Sequence, residues 1–493
     1  MISEALRKAR NYEEKKEQLI SPSERPAFHL TPRTGWMNDP NGFCFYNGKY
    51  HLFYQYNPYR TDWGPMHWGH AVSTDLFHWE YLPCALAPDT HYETSGGCFS
   101  GGAIALPDGR QLLMYTGVKK EEHEDGTWCD IQTQNIAIGD GVNYEKYAGN
   151  PVLTEEDLPA GASRIDFRDP KIWRDEDGIY WCVLSSRPAD GSGSTLLYRS
   201  EDALAWEFVS ILAENGNRYG KMWECPDFFE LNGKGVLMVS PQDMEADGEE
   251  FCSGNGNVAV IGTYDKEQHK LIEEQIRAID YGIDFYATQS LESPDGRRIM
   301  LGWMQNWDTC GYRNDMQKWF GQVTIARELE LKDGRLLQKP VRELDALHGE
   351  EVSYENVQIE NEKKELAKIN GRIADLFVEA DVENCSEFTV NLAENEKYFT
   401  KLSYNREEGT LTFDRRRSGV KRAVDNVRTC KVNTEDGKLE LRIILDRFSA
   451  EVFVGDGEKV MSMCLFTDLD AERISFSAKG QVNLNAKKYE LAL

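Results

Sequence analysis

Five glycine-containing turns divide the first two thirds of the chain at similar intervals, and this repeat constrains the fold more than any other feature. Each turn lies beside apolar and aromatic runs of the kind that form β-strands, so each predicts a β-hairpin. A hairpin cannot bury its apolar face alone, and hairpins repeated in this way predict five blades packed around a central axis. The turn glycines are 61, 69, 55 and 63 residues apart: Gly48, Gly109, Gly178, Gly233 and Gly296.

Three carboxylates occupy positions nine residues before these turn glycines. Equivalent positions in successive blades fall on one ring at one end of the axis, so we expect the three acids to converge in one central cavity. Turn chemistry or a structural ion pair would explain each acid taken singly, whereas the common offset favours a joint site. The five positions are Asp39, Ser100, Asp169, Glu224 and Ala287.

The texture of the sequence changes twice along the chain and predicts three parts. Residues 1–24 are rich in Glu, Lys, Arg, Ala and Leu, which predicts a solvated N-terminal helical extension. Residues 25–340 hold the five hairpins and form the predicted propeller, which would be the catalytic domain. Residues 341–493 carry longer alternating strands and predict a β-sandwich. The predicted fold is therefore all-β: a five-bladed β-propeller followed by a C-terminal β-sandwich, with a short N-terminal helix.

Charge and cysteine content exclude several classes of function. With 56 basic against 83 acidic residues, the net charge of −27 repels nucleic acid and anionic membranes, so we expect neither as a partner. Eleven scattered cysteines without a Cys-x-x-Cys pair indicate neither a disulfide framework nor a zinc site. Together with an N-terminus that lacks a signal-peptide-like apolar stretch, this usage predicts a cytoplasmic protein. The clustered histidines His67, His70 and His78 are not spaced to converge on one face, so we expect no metal.

Acid–base chemistry on a sugar suits three converging carboxylates. Glycoside cleavage needs one ionised carboxyl group at the anomeric carbon and one protonated group beside the leaving oxygen. Asp39 is followed by an Asn-Gly turn that can donate hydrogen bonds to the anion, whereas Glu224 lies beside Trp223 and an apolar proline, which predicts the protonated form. Such chemistry needs no cofactor, and its partner would be a small-molecule sugar.

Eight ordered motifs resemble those of glycoside hydrolase family 32, over a region from about residue 25 to the C-terminus. The resemblance implies a five-bladed propeller followed by a β-sandwich. It also implies Asp39 as nucleophile, Glu224 as general acid/base and Asp169 as transition-state stabiliser. The residues it places around the fructose subsite are Asn38, Gln55, Trp63, Phe99, Ser100 and Arg168. The motifs are residues 36–42, 53–58, 68–71, 99–101, 115–117, 167–170, 223–227 and 284–287.

The function that follows is a retaining β-fructofuranosidase acting on sucrose and short fructo-oligosaccharides. A retaining mechanism predicts carboxyl groups about 5 to 5.5 Å apart. Three alternatives stay open: a sucrose-6-phosphate hydrolase, a fructosyltransferase with the same acids, and a sugar-binding propeller without catalysis. A homo-oligomer formed through the β-sandwich is also possible from the sequence. A phosphorylated substrate would need cations at the pocket, for which the candidates are Arg33, Arg218, Lys221, Arg313 and Lys318.

Overall fold

The computed structural model describes residues 2–123, 125–188, 190–310, 318–419, 425–434 and 436–492. One α-helix, α1 (Glu4–Glu17), begins after Ser3, whose hydroxyl accepts a hydrogen bond from the Leu6 amide at 3.1 Å. Three short 3-10 helices cover Pro22–Glu24, Glu155–Asp157 and Arg342–Leu347. Within the described residues no helix has the length and apolar character needed to cross a membrane.

The N-terminal helix is packed against the protein rather than freely solvated. It buries Leu6, Ala9 and Glu13, and the Glu13 carboxylate accepts a hydrogen bond of 2.8 Å from the Cys84 amide in the first blade. Burial raises the pKa of Glu13 to about 7. The predicted helix is therefore present, but its expected solvation was wrong, because one face covers the edge of a blade.

Four antiparallel strands form the body of each of five blades, as the repeat predicts. The first two blades contain β1 (Gly35–Tyr46), β2 (Lys49–Asn57), β3 (His67–Ser73), β4 (Trp79–Leu86), β5 (Gly97–Ala105), β6 (Gln111–Glu122), β7 (Trp128–Gly139) and β8 (Tyr144–Lys146). The third and fourth contain β9 (Phe167–Arg174), β10 (Tyr180–Ser186), β11 (Ser194–Ser200), β12 (Glu207–Glu214), β13 (Trp223–Leu231), β14 (Lys234–Pro241), β15 (Val258–Asp265) and β16 (Lys270–Ala278). The fifth blade contains β17 (Tyr286–Glu292), β18 (Arg298–Trp303), β20 (Arg327–Lys332) and β21 (Arg335–Pro340), while β19 (Trp319–Phe320) joins the first blade.

The innermost strands β1, β5, β9, β13 and β17 contact one another in order, and β17 contacts β1, which closes the ring. All five turn glycines have positive φ angles, between 78° and 88°, which explains why glycine recurs there. The ring is sealed by β19, which pairs in parallel with Gly35 and Trp36 at the start of β1. Both the hairpin prediction and the five-bladed architecture are confirmed.

The C-terminal strands form a single ten-stranded sheet that folds around its own hydrophobic core. Its two long strands, β24 (Ala374–Glu394) and β31 (Arg473–Leu491), pair with each other. The first part of β24 also pairs with β28 (Lys438–Asp446), and the second part pairs with β25 (Thr400–Asn405). This arrangement confirms the predicted β-sandwich. Its strands are β22 (His348–Glu360), β23 (Lys363–Asn370), β24 (Ala374–Glu394), β25 (Thr400–Asn405), β26 (Thr410–Asp414), β27 (Val427–Lys431), β28 (Lys438–Asp446), β29 (Ser449–Val454), β30 (Lys459–Cys464) and β31 (Arg473–Leu491).

Buried charges join the sandwich to the propeller. The two ring nitrogens of His29, which precedes the first blade, lie 2.8 Å from Asp446 Oδ2 and 2.9 Å from Glu451 Oε1. Glu451 also accepts a hydrogen bond of 2.6 Å from Arg327 of the fifth blade, which pairs with Asp280 at 3.0 Å. We call these five residues the interface cluster. They tie the first and last blades to the same sandwich strands.

Candidate active site

Each innermost strand carries a β-bulge at the same register, two unpaired residues opposite one residue of the neighbouring strand. The last paired residues before the bulges are Met37, Cys98, Arg168, Glu224 and Tyr286. The first bulged residues are Asn38, Phe99, Asp169, Cys225 and Ala287, and the second are Asp39, Ser100, Pro170, Pro226 and Thr288. These five bulges supply most of the residues that the sequence singles out.

The three acids occupy three successive positions around the bulge, so they are not structurally equivalent. Glu224 is the last paired residue of its strand, Asp169 the first bulged residue and Asp39 the second. The nine-residue offset hid this difference because the hairpin loops have two residues in blades one and four and five residues in the others, and because β1 has a second register shift between Asn41 and Cys44. The acids converge because the bulge turns neighbouring backbone positions toward the axis.

One sulfur atom marks where the acids meet. Cys225 Sγ lies 3.7 Å from Asp39 Oδ2 and 3.9 Å from Asp169 Oδ2. The Cys225 amide donates a hydrogen bond of 3.0 Å to Asp169 Oδ2. Glu224 directly precedes this cysteine, so side chains from blades one, three and four surround one small space.

Asp39 is held from the second blade. The Ser100 hydroxyl donates a hydrogen bond of 2.6 Å to Asp39 Oδ2, and Asn38 is fixed by the Trp36 indole, which donates to Asn38 Oδ1 at 2.7 Å. Burial and the negative charge of Glu224 raise the pKa of Asp39, against the hydrogen bonds from Ser100 and Asn38. The expectation that local hydrogen bonds dominate at Asp39 was therefore wrong, because burial and the charge of Glu224 outweigh them.

Polar groups surround the Glu224 carboxylate. Arg168 donates from Nε and Nη2 to Glu224 Oε1 at 3.1 and 2.9 Å, and the Tyr286 hydroxyl donates to Oε2 at 2.6 Å. Trp223 packs instead into the core between blades three and four. The predicted apolar surroundings were wrong because successive residues of a strand face opposite sides.

Asp169 is the most enclosed of the three acids. Its backbone is left-handed, with φ of 63°, and its amide donates to Thr116 Oγ1 at 3.1 Å. Burial raises the pKa of Asp169 to about 7, because the nearby Arg168 offsets only part of the desolvation while Glu224 and Asp39 add to it. Asp39 and Glu224 retain partial exposure, whereas Asp169 is buried.

Arg168 connects the acids to the wall of the cavity. Its Nη1 donates to Asp166 Oδ1 at 2.7 Å and lies 3.5 Å from Gln132 Oε1. Its Nε lies 3.9 Å from Asp169 Oδ2. Its guanidinium is therefore the cation that contacts both Asp169 and Glu224.

Aromatic rings and an amide complete the predicted residues. Trp63, which is 43% exposed, makes an edge-to-face contact with the half-buried Phe99, with ring centroids 5.7 Å apart. Gln55 is buried opposite the bulge of the first blade and donates to the Cys98 carbonyl at 2.9 Å. Phe99 and Gln55 thus lie at bulge level, and Trp63 extends from Phe99 toward solvent.

Four residues around the acids were not predicted as site residues: Thr116, Cys225 and Tyr286, which contact the acids, and Asp166, which contacts Arg168. Cys225 and Tyr286 each adjoin a position of the nine-residue series, so examining the neighbours of those positions would have found them. Thr116 lies opposite the bulge of the second blade, within the motif of residues 115–117, whereas Asp166 precedes β9 and no local pattern marks it.

In the described parts of the chain, the acids do not belong to a group of side chains close enough together to share a metal. Among the described residues, the group whose donor atoms lie close enough to share a metal is Asp345, His348 and Asp375, at the start of the sandwich. Arg442 already donates to Asp375 Oδ2 at 2.7 Å and to Asp345 Oδ1 at 3.0 Å. A guanidinium therefore neutralises these carboxylates.

Comparison with known proteins assigns both parts of the chain to one family. The model of the glycosyl hydrolases family 32 N-terminal domain matches residues 29–340, and that of the family 32 C-terminal domain matches residues 343–491. A sucrose-6-phosphate hydrolase of Zymomonas mobilis is 37% identical over 472 residues, covering 92% of this chain and 89% of the relative. A raffinose invertase of Escherichia coli is 36% identical over 456 residues, covering 92% of each chain.

Solved structures give the same result. The family 32 beta-fructofuranosidase of Bombyx mori is 34% identical with a TM-score of 0.83, and covers 99% of this chain and 98% of its own. A mutant of that protein in complex with sucrose has a TM-score of 0.84 at 34% identity, with coverage of 100% and 99%. The match of both family models and the identity across nearly the whole length show that this chain is a glycoside hydrolase and belongs to glycoside hydrolase family 32.

Proposed function

We propose that the protein is a retaining β-fructofuranosidase that hydrolyses sucrose and short fructo-oligosaccharides through a covalent fructosyl-enzyme. The observation that carries the proposal is the meeting of Asp39, Asp169 and Glu224 around Cys225, with the first and last of them partly exposed. The names of the relatives support it, since they include an invertase and a beta-fructofuranosidase with a sucrose-bound mutant.

In the proposed first step, Asp39 attacks the anomeric C2 of a terminal β-fructofuranosyl unit. Glu224 gives its proton to the departing oxygen, and the glycosidic bond breaks as the bond to Asp39 forms. Water then attacks the fructosyl-enzyme while Glu224 takes up its proton, which releases fructose and restores Asp39. Glu224 must therefore carry a proton at the start, so its contact with Arg168 has to weaken when substrate binds.

Asp39 and Asp169 take different parts in this scheme. Ser100 orients Asp39 through Oδ2. Asp169 lies deeper, its carboxylate fixed by the Cys225 amide, and in the proposal it accepts hydrogen bonds from fructose hydroxyls near the transition state. The aromatic faces of Trp63 and Phe99 suit the apolar side of a sugar ring.

The engagement of three of the five candidate cations favours a neutral substrate over a phosphorylated one. Arg33 is bonded to Glu17 at 2.6 Å, Arg218 to Glu273 at 2.6 Å and Lys318 to Glu24 at 3.0 Å. Lys221 is exposed, and Arg313 lies outside the described residues. The net charge of −27 further disfavours a dianionic phosphate. We therefore expect a higher kcat/KM for sucrose than for sucrose 6-phosphate. A higher kcat/KM for sucrose 6-phosphate would show that the phosphorylated sugar is the preferred substrate.

Leaving-group dependence tests the mechanism. In Glu224→Gln, kcat on sucrose should fall steeply, while an aryl fructoside with an activated leaving group, which needs no protonation, should lose much less. An equal loss on both substrates would contradict the acid role of Glu224. Following the released fructose by NMR should show the β anomer first, whereas initial formation of the α anomer would indicate inversion. Oligosaccharide products at high sucrose would reveal transfer to sugar acceptors.

A further inference from the structure

Directly below the bulges lies a second ring of residues, the first paired position after each bulge. Two members are small or rigid and three are polar. The ring consists of Pro40, Gly101, Lys171, Asp227 and Gln289. Because these positions follow the bulges directly, the polar members lie on the strands that carry Asp169, Glu224 and Tyr286.

The three polar side chains are bonded to one another. Lys171 Nζ donates to Gln289 Oε1 at 2.9 Å, to the Ser290 carbonyl at 2.5 Å and to Asp227 Oδ2 at 3.2 Å. The Ser290 amide also donates to Asp227 Oδ2, at 2.5 Å. One ammonium group thus joins the innermost strands of blades three, four and five. We call Lys171, Asp227, Gln289 and Ser290 the axial cross-link.

Burial makes this an expensive arrangement for a propeller that needs only apolar packing. Lys171 is 8% exposed, Asp227 1% and Gln289 4%. A buried ion pair is often no more stable than a well-packed apolar replacement, so its presence is better explained by the geometry it imposes. The position supports this, since Lys171 is two residues from Asp169, Asp227 is three from Glu224 and Gln289 is three from Tyr286.

We propose that Lys171 is a positioning residue: its cross-link holds the strands of blades three, four and five at the spacing at which Asp169, Glu224 and Tyr286 face one sugar. The inference rests on the proposed function for the choice of substrate and for the acid role of Glu224. Bulged strands are locally irregular, and three of them joined at one point lose the freedom to slide past one another. Misplacement of a reacting group by about 1 Å can cost about a hundredfold in rate.

The test compares the buried Lys171 with the half-buried Lys146. Lys146→Met removes the ammonium that pairs with Asp89 at 2.5 Å and Glu93 at 2.6 Å between blades one and two, away from the acids. Lys171→Met removes the axial ammonium. Both should lower Tm. Lys171→Met alone should lower kcat on sucrose about 10- to 100-fold, with KM changed less than about threefold, assayed well below either Tm.

A second readout separates positioning from loss of stability. If Glu224 is displaced, the rate loss of Lys171→Met should be smaller on an activated aryl fructoside than on sucrose, whereas Lys146→Met should show no such difference. Gln289→Leu removes the bond from blade five without removing a charge, and it should show the same pattern to a smaller extent even where Lys171→Met fails to fold. Unchanged kcat in Gln289→Leu, or equal effects at Lys146 and Lys171, would overturn the proposal.

Failure of the proposed function would look different. A parent enzyme inactive on sucrose and aryl fructosides would refute the fructofuranosidase assignment. The comparison of lysines would then be run on raffinose and on sucrose 6-phosphate, the substrates in the relatives' names. Equal effects of the two lysine variants on the hydrolysed substrate would refute the cross-link alone.

Discussion

The candidate active site and the interface cluster both enclose carboxylates, but they stabilise the anions to different extents. At the interface, burial alone would raise the pKa values of Asp446 and Glu451, but contacts with His29 and Arg327 bring both below their ordinary values. In the candidate active site, Arg168 is the cation in contact with two acids, and the pKa of Asp169 rises to about 7. The number of cations per buried acid separates the two regions.

This difference shows what each region is built to do. Paired charges at the interface fix one orientation of sandwich on propeller and have no reason to exchange protons. Incompletely paired acids in the cavity are poorly stabilised as anions, so they can share a proton or react. Asp280 shows how local the effect is, because burial raises its pKa although it contacts Arg327. The direction of the pKa shift of a buried carboxyl group thus decides its use: a lowered pKa stabilises the anion, and a raised pKa leaves the group reactive.

The largest expected effect is the loss of turnover in Asp39→Asn. The amide keeps the shape of the carboxylate but cannot attack C2, so kcat on sucrose should fall by at least about a thousandfold. Because burial already disfavours the charged form of Asp39, the variant should fold with an unchanged or higher Tm. Residual activity above a few per cent in a folded, homogeneous sample would contradict the nucleophile assignment.

A substitution in the interface cluster should lower stability and leave turnover almost unchanged. Glu451→Gln leaves His29 and Arg327 short of one buried partner, so the free energy of unfolding should fall by about 3–5 kcal/mol in urea titrations. The kcat of the folded enzyme should stay within about twofold. Glu330→Gln, which disrupts an exposed pair with Lys339 at 3.7 Å, serves as control and should change neither quantity. A large loss of kcat in folded Glu451→Gln would show that the interface cluster also contributes to activity, which contradicts the proposed separation of stability from reactivity.

Alkaline pH should weaken the interface through His29. Burial would lower the pKa of His29, but hydrogen bonds to Asp446 and Glu451 raise it to about 9. A raised folded-state pKa means that the stabilisation is complete below about pH 6.5 and is lost as pH rises through 9, in total on the order of 3 kcal/mol. Between pH 7 and 9.5 the unfolding free energy of the parent should therefore fall more steeply than that of His29→Gln. Parallel curves would show that His29 is not charged.

The smallest effect is a gain of stability in Asp169→Asn. The folded-state pKa of Asp169 is raised to about 7, so its ionisation costs stability as pH rises from its unfolded value through 7. At pH 8 the variant should be more stable than the parent by roughly 1 kcal/mol or more, and at pH 4 the difference should vanish. Its kcat should fall sharply. A variant less stable than the parent at pH 8 would show that the buried anion is fully compensated.

Local signals in the sequence were enough to predict the architecture. Turn glycines such as Gly48 and Gly178 mark hairpins because a left-handed turn residue leaves a trace in a few letters. Alternation in the last third of the chain predicted the sandwich for the same reason. The bulges left no comparable trace, so the sequence placed Asp39, Asp169 and Glu224 only approximately in register.

Apart from the convergence of the three acids, contacts between distant residues could not be predicted. His29 and Glu451 are 422 residues apart, and nothing near either one announces a buried ion pair. The surroundings of Glu224 failed for a related reason: its neighbours in sequence face away, while Arg168 and Tyr286 come from other blades. The neighbours of a strand residue in the sequence are a poor guide to its surroundings, because successive residues face opposite sides of the sheet.

The two-residue strand Trp319–Phe320 has a consequence for the folding of this enzyme during its synthesis. This strand pairs with Gly35 and Trp36, and the rings of Trp36 and Phe320 stack with centroids 4.9 Å apart. The first strand of the propeller is therefore completed by residues nearly three hundred positions later in the chain. A nascent chain on the ribosome carries Asp39, Asp169 and Glu224 long before this two-residue strand emerges. Hydrolysis should therefore switch on abruptly during synthesis, after the fifth blade has left the exit tunnel.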